Sequence, residues 1–249
     1  MHPTTLFNCQ NFFDTYSDAF QGADTRVIEI GSQDVNGSLR TCCPERFGYV
    51  GVDFVSGEGV DVVLEDPYSL PFATASIDIV LTSSCLEHSE MFWLVFLEAM
   101  RILKPHGLLY LNVPSNGAFH RYPVDCWRFY PDSGHALVTW GRRNGLNPAL
   151  LESYISEQVG DIWNDYVAVF VKDQSEANRY KSRILTGRED LSNGLVLDAR
   201  NFVNLLPMPE DIRKLSLISQ IINNAPPVHD DQEKLALIKM IINNEVKLR

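Results

Sequence analysis

Val27-Ile28-Glu29-Ile30-Gly31-Ser32-Gln33-Asp34-Val35-Asn36-Gly37 is the stretch on which the reading turns. A short apolar strand carries one carboxylate, Glu29, and ends at Gly31, where the backbone can turn sharply or approach a ligand closely. Gly37 supplies a second position for an unusual dihedral, where the next element packs. In a parallel sheet a turn of this kind sits at the carboxyl end of the strands, where ligands bind. A dinucleotide-phosphate loop would need G-x-G-x-x-G. Here Gln33 replaces the second glycine and the anionic Asp34 follows, so a diphosphate is repelled. A zwitterionic ligand with a cationic centre is not.

Working outward, Tyr49 to Val52 is a second strand ending at Asp53, Val60 to Leu64 a weaker third followed by Asp66, and Ile77 to Leu81 a fourth. A helix is expected over 89–103, where Phe92, Val95, Phe96, Ala99, Met100 and Leu103 recur at three- and four-residue steps. Lys104-Pro105-His106-Gly107 stops it, and Leu108 to Val113 is the fifth strand. A further helix over 131–143 precedes two strands, 151–156 and 166–171, whose short connection makes them an antiparallel edge pair. The alternation implies an α/β fold with a doubly wound, mostly parallel, seven-stranded sheet. Three carboxylates, Glu29, Asp53 and Asp66, then lie at or near the ends of consecutive strands and converge on one crevice.

Three regions follow. Residues 1–22 hold an aromatic helical segment (Phe12, Phe13, Tyr16, Phe20) that could act as a lid, 23–173 form the sheet domain, and 174–249 a C-terminal helical extension. Within the extension, residues 211–224 repeat at 231–244, with Leu215/Leu235, Ile218/Ile238 and Ile222/Ile242 in register. Two such helices are too few for a self-supporting array. They are expected to pack on the main domain, on a second copy as a homodimer, or on a partner.

The 249 residues carry a net charge of −11 with no basic run, which disfavours nucleic acid as a partner. The five cysteines form no C-x-x-C pair, and no metal site is expected. The amino terminus has no signal-peptide pattern, and no apolar run reaches the ~18 residues that would span a bilayer. A cytoplasmic protein that does not enter a membrane is the expectation.

Five motifs in order resemble the class I S-adenosylmethionine-dependent methyltransferases of the type 11 group, over roughly residues 20–172. They are Val27–Ser32, Tyr49–Asp53, Asp66-Pro67-Tyr68-Ser69-Leu70-Pro71-Phe72, Ile77–Val80 leading into Cys85-Leu86-Glu87-His88, and Arg101-Ile102-Leu103-Lys104-Pro105-His106-Gly107. The resemblance implies a Rossmann-like methyltransferase fold with S-adenosylmethionine as cofactor. On that likeness Glu29 and the Gly31–Ser32 backbone, with Gly37 closing the loop, would hold its methionine end. Asp53 would take the ribose hydroxyls and Asp66 the adenine amino group, with Phe54 and Pro67 near the base. Ser83 would line the reactive end. The departure from the family is Gln33 in the first loop.

The long loop after the fifth strand, 112–131, mixes aromatics with His120, Arg121, Asp125 and Arg128. That lining suits a polar ring, and its Tyr-Pro-x-Asp-x-Trp-Arg-Phe run is similar to a segment of type 11 enzymes of glycan biosynthesis. O-methylation of a small-molecule or glycan substrate is therefore expected, with His120 as base and Asp125 as its orienter or alternate. An Asp125–Arg128 pair that merely holds the loop is an equal reading, and His88 reads as a helix-start or core histidine rather than a base. The competing function is a methyltransferase-fold binding or scaffold protein whose helical tail does the work. A dehydrogenase is disfavoured by Gln33 and Asp34.

Overall fold

The computed structural model describes residues 3–22, 24–197, 199, 201–224 and 231–243. Eight strands form one sheet: β1 (Arg26–Ile30), β2 (Gly48–Asp53), β3 (Val62–Val63), β4 (Ile77–Ser83), β5 (Leu103–Pro114), β6 (Ala149–Ser156), β7 (Asp165–Val171) and β8 (Leu191–Val196). Their order across the sheet is β3-β2-β1-β4-β5-β7-β6-β8. The first five are parallel, while β7, β6 and β8 pair antiparallel with their neighbours. The strand order reverses between β1 and β4, which opens the ligand crevice at their carboxyl ends.

Alternating side chains build two cores. On one face Ile28, Ile30, Val80, Leu109 and Leu111 pack beneath α2 (Phe92–Ile102) and α3 (Ser133–Arg143). On the other, Val27, Ile79, Leu81 and Tyr110 pack beneath α1 (Pro3–Tyr16). Phe12, Phe13 and Tyr16, at helical spacing, are all buried there. No full helix separates β1 from β2 among the described residues; one turn of 3-10 helix, Leu39–Cys42, takes its place. The space is filled by α1, whose Phe13 ring lies 6.5 Å from that of Phe47.

The doubly wound sheet read from the sequence is present, with eight strands rather than seven. The extra one, β8, falls in the region read as purely helical and covers the edge of β6, so β6 and β7 are not the edge pair. The C-terminal helices are there as α4 (Glu210–Asn224) and α5 (Asp231–Ile242). Glu210 ties the start of α4 to the sheet domain by accepting from Asn164 Nδ2 at 2.7 Å and from the Gln158 backbone N–H at 3.1 Å. Among the described residues no helix is long and apolar enough to cross a membrane.

Candidate active site

The first turn needs its glycine. Gly31 has φ +80°, and a Cβ there would lie 2.6 Å from the Cβ of Cys85, in the turn after β4. The β1 and β4 turns therefore touch through the bare backbone. Gly31 N–H donates to Val52 O at 3.0 Å and Ser32 N–H to the same oxygen at 3.2 Å, binding the loop to β2. Gly51 is equally confined, since a Cβ would meet the Gly59 carbonyl at 2.3 Å and Ser32 Oγ at 2.6 Å. Gly37 has φ +117°, with its N–H donating to Asp34 Oδ1 at 2.7 Å.

Glu29 points to the α1 face and is only 2% exposed. It accepts from the Tyr49 hydroxyl at 2.5 Å. Burial pushes its carboxyl up to about 7, against the Tyr49 hydrogen bond and the Arg40 charge, which favour ionisation. Asp53 closes β2, accepting from Gln33 N–H and Val55 N–H, both at 3.2 Å. Its field and that of Asp34 reach Glu29, so these carboxylates are neighbours. Asp66 is exposed and accepts from Tyr68 N–H at 2.8 Å, capping its own turn beside exposed Pro67. Phe54 is also exposed. The chain after β2 folds onto the first loop, with Asp34 N–H donating to Glu58 O at 2.8 Å.

Buried hydroxyls test whether this crevice suits a polar cofactor. Ser32 Oγ, Thr82 Oγ1 and Ser83 Oγ are buried without hydrogen-bond partners. Unpaired buried groups are costly unless a ligand completes them. Glycines that admit no Cβ and orphaned hydroxyls beside two carboxylates fit a polar, cationic ligand.

The loop after β5 is built as a braced platform. Arg128 donates to Asp125 through both nitrogens, Nη1 to Oδ1 at 2.6 Å and Nη2 to Oδ2 at 2.9 Å. That pairing holds the Asp125 carboxyl down to about 2. Asp125 Oδ2 also accepts from the His120 backbone N–H at 2.7 Å, while the His120 ring nitrogen Nδ1 is 3.5 Å away. Asp125 thus fixes the main chain of His120 more than its ring. The loop is sewn to the β4 turn, since Cys126 N–H donates to Glu87 O at 2.8 Å and Trp127 Nε1 to Ser89 O at 2.9 Å. Phe119, Tyr122 and Tyr130 stand exposed along it. A cavity of about 330 Å³ opens at the end of β5 between Ser115, Asn116, Tyr130, Asn193 and Glu210. Another, about 400 Å³, lies between Phe92, Trp93, Trp127 and Trp140.

Against this platform the structure brings Glu87 and His88, to which the sequence assigns no catalytic part, next to His120. Glu87 is 1% exposed, and its Oε2 has no partner. His88 and His120 stack edge to face with ring centroids 4.9 Å apart. One ligand-capable atom from each of Glu87, His88 and His120 lies within 4.8 Å of the other two. The available signal was the adjacent Glu87-His88 pair in the turn after a central strand, which opens onto the crevice.

Residues 26–111 match the family described as "Methyltransferase domain". No curated protein matches the chain. Three solved structures are similar in fold. One is the 1,6-didemethyltoxoflavin-N1-methyltransferase of Burkholderia thailandensis, with bound S-adenosylhomocysteine (16% identity, 70% of this chain and 92% of that one, TM-score 0.46). Another is the YcgJ protein of Bacillus subtilis (14%, 68% and 99%, TM-score 0.47). The third is a SAM-dependent methyltransferase from Aquifex aeolicus (12%, 69% and 99%, TM-score 0.41).

Proposed function

We propose that this chain, whose residues 26–111 match a methyltransferase-domain family, is a class I S-adenosylmethionine-dependent methyltransferase that methylates a hydroxyl of a small-molecule or glycan-like acceptor. The observation that carries the reading is the braced loop beside the crevice, which holds the His120 imidazole against the Trp163 ring, 5.0 Å away, with Phe119 and Tyr122 exposed on the same loop.

The cofactor supplies an electrophilic methyl group on a sulfonium, so the chain's own task is to orient, exclude water and move one proton. Glu29 and the Gly31–Ser32 turn would hold the amino-acid end, Asp53 the ribose, and Ser83 the reactive end; Asp66, Phe54 and Pro67 would border the base. His120 Nδ1 faces the Ala118 carbonyl at 3.1 Å, an acceptor, so that nitrogen carries the proton. Nε2 is then free to take the proton of an acceptor hydroxyl. Asp125 is a positioning residue, since a carboxylate with an affinity for protons this low is a poor base.

The test is transfer of labelled methyl from S-adenosylmethionine into panels of hydroxyl, amine and thiol acceptors. Hydroxyl acceptors should be labelled. Asp53→Ala should weaken cofactor binding about tenfold or more, the equivalent of one lost charge-assisted contact of roughly 1.4 kcal/mol. His120→Ala should lose transfer while binding cofactor normally. Cofactor binding without transfer to any acceptor would favour the scaffold reading instead.

That second reading has its own support in the tail. Ile212, Leu215 and Ile222 of α4 and Leu235, Leu237 and Ile242 of α5 are exposed. Because the two helices repeat one sequence, two copies of the chain would offer self-complementary faces, which suits a two-fold pairing. Light scattering should give a dimer mass that falls to the monomer with Leu215→Glu plus Leu235→Glu; a monomer at all concentrations would remove the pairing.

A further inference from the structure

Glu87, His88 and His120 do not behave as packing residues. A buried carboxylate used only for packing would have both oxygens satisfied, yet Glu87 Oε2 is orphaned at 1% exposure. His88 Nδ1 lies 2.5 Å from the Val124 carbonyl. A carbonyl can only accept, so Nδ1 carries the hydrogen and Nε2 keeps a free lone pair. That Nε2 sits 3.7 Å from Glu87 Oε1. His120 repeats the arrangement, its Nδ1 facing Ala118 O at 3.1 Å and Asp125 Oδ2 at 3.5 Å, both acceptors. Two imidazoles, each with Nδ1 engaged by an acceptor and Nε2 unprotonated, stand beside a buried carboxylate with an unused oxygen. Outer hydrogen bonds of this kind orient metal-ligating histidines and fix their tautomer.

We propose that Glu87, His88 and His120 bind one divalent transition-metal ion, with a coordination position left open for the acceptor's hydroxyl oxygen. The identity of the ion follows from the donors. Two imidazole nitrogens and one carboxylate suit manganese, iron, cobalt or zinc better than magnesium or calcium, which prefer all-oxygen sets. Ligand atoms around a tetrahedral ion with bonds of about 2.0–2.1 Å stand about 3.3 Å apart, against the 4.8 Å limit within which these atoms lie. His120 can close that gap, because its side chain is 41% exposed on a loop. Nearby charge is balanced, since the Arg128 guanidinium is paired with Asp125.

The role of the ion, though not its binding, rests on the hydroxyl-acceptor reading. A bound divalent ion makes a coordinated hydroxyl far more acidic. The acceptor O–H bond breaks and its proton leaves to solvent. The oxygen's freed pair forms the bond to the methyl carbon as that carbon's bond to sulfur breaks, with sulfur keeping the electron pair as a neutral thioether. No oxidation occurs. His120 then serves as a ligand rather than as the base.

The experiment titrates Mn²⁺ into the EDTA-treated full chain, followed by electron paramagnetic resonance, without cofactor or acceptor. Co²⁺ absorption reports the ligand set. One Mn²⁺ per chain is expected, with affinity falling about tenfold or more in His120→Ala and in Glu87→Gln. If Glu87→Gln fails to fold, the exposed His120 position still decides. No bound Mn²⁺ and Co²⁺, or equal binding by wild type and His120→Ala, overturns the site. Methyl transfer unchanged by EDTA would overturn the ion's role in transfer and leave His120 as the base. Metal binding without transfer to any hydroxyl would keep the site and overturn the acceptor instead.

Discussion

A carboxyl group buried within a central strand makes stability depend on pH in a direction that can be worked out. Glu29 has its proton affinity raised in the folded chain, from 4.5 to about 7. Between those values the unfolded chain releases the proton and the folded chain keeps it, so the unfolded state binds fewer protons and stability falls as pH rises. The favourable contribution is complete below 4.5 and gone above about 7. Its size is at most about 3 kcal/mol, from 1.36 kcal/mol per unit of difference. Urea titrations of the cofactor-free protein should show a steeper loss of stability between pH 5 and 7 in wild type than in Glu29→Gln; parallel curves would mean that Glu29 is ionised throughout. Two residues on, Gly31→Ala should cost about 2–4 kcal/mol, because a left-handed backbone and a Cβ placed 2.6 Å from that of Cys85 act together. Both residues stand out in the sequence through their place at the end of an apolar run. The role of His88 does not, because the carbonyl that sets its tautomer belongs to Val124, 36 residues away. Pattern along a chain carries no information about such partners.

At the scale of elements, strands that read as unbroken apolar runs were legible and those interrupted by turn residues were not. β7, buried throughout, matches its expected strand to within one residue, while β5 begins five residues early, at Leu103, because the Lys104–Gly107 stretch read as a turn is part of the strand. β8 is Leu191-Ser192-Asn193-Gly194-Leu195-Val196, and Asn-Gly reads as a turn. Asn193 does adopt φ +50°, and the pairing of β6 with β8 shifts register beside it. The strand survives because Leu191 and Leu195 are buried on either side of the irregularity. The loop after β5 stands out in the sequence by its length and composition, whereas its bracing depends on the Arg128 geometry. Breaking that brace should act on the platform and spare the cofactor crevice. Arg128→Ala leaves the Asp125 carboxylate, 2% exposed, without its counter-charge, a change worth about 3 kcal/mol in stability for buried pairs. In transfer assays Asp125→Asn should raise the acceptor KM severalfold with cofactor affinity kept within twofold. Loss of cofactor binding in equal measure would mean that the loop supports the crevice as well.

For the whole molecule, the deciding contact is made by Glu152 in β6, which nothing in the sequence marks beyond its place in an expected strand. It is fully buried and accepts from the Tyr16 hydroxyl of α1 at 2.5 Å and from the Ile184 and Leu185 backbone N–H groups at 2.8 and 3.1 Å. Three distant parts of the chain, the N-terminal helix, the strand next to the β8 edge and the segment before β8, meet on one carboxylate. Removing any donor leaves a buried carboxyl group short of a partner, and removing the acceptor strands three donors. A boundary at 173, where strand patterning weakens, therefore cuts through this junction rather than beside it. Truncation after residue 173 would remove Ile184, Leu185 and β8, exposing the side of β6 and leaving Glu152 with the Tyr16 hydroxyl alone. Such an open strand edge is a site for aggregation. Truncation after residue 207 would remove α4 and α5 with the Glu210 contacts to Asn164 and Gln158, but keep the eight strands intact. We therefore expect the 1–207 chain to be soluble, to melt cooperatively and to bind S-adenosylmethionine, with the 1–173 chain aggregating or unfolded. Glu152→Ala in the full chain should reproduce part of that defect, at about 2–4 kcal/mol for several buried groups left unpaired. A well-folded 1–173 chain with full cofactor affinity would show that the segment after β7 is an appendage and that the fold closes without its eighth strand.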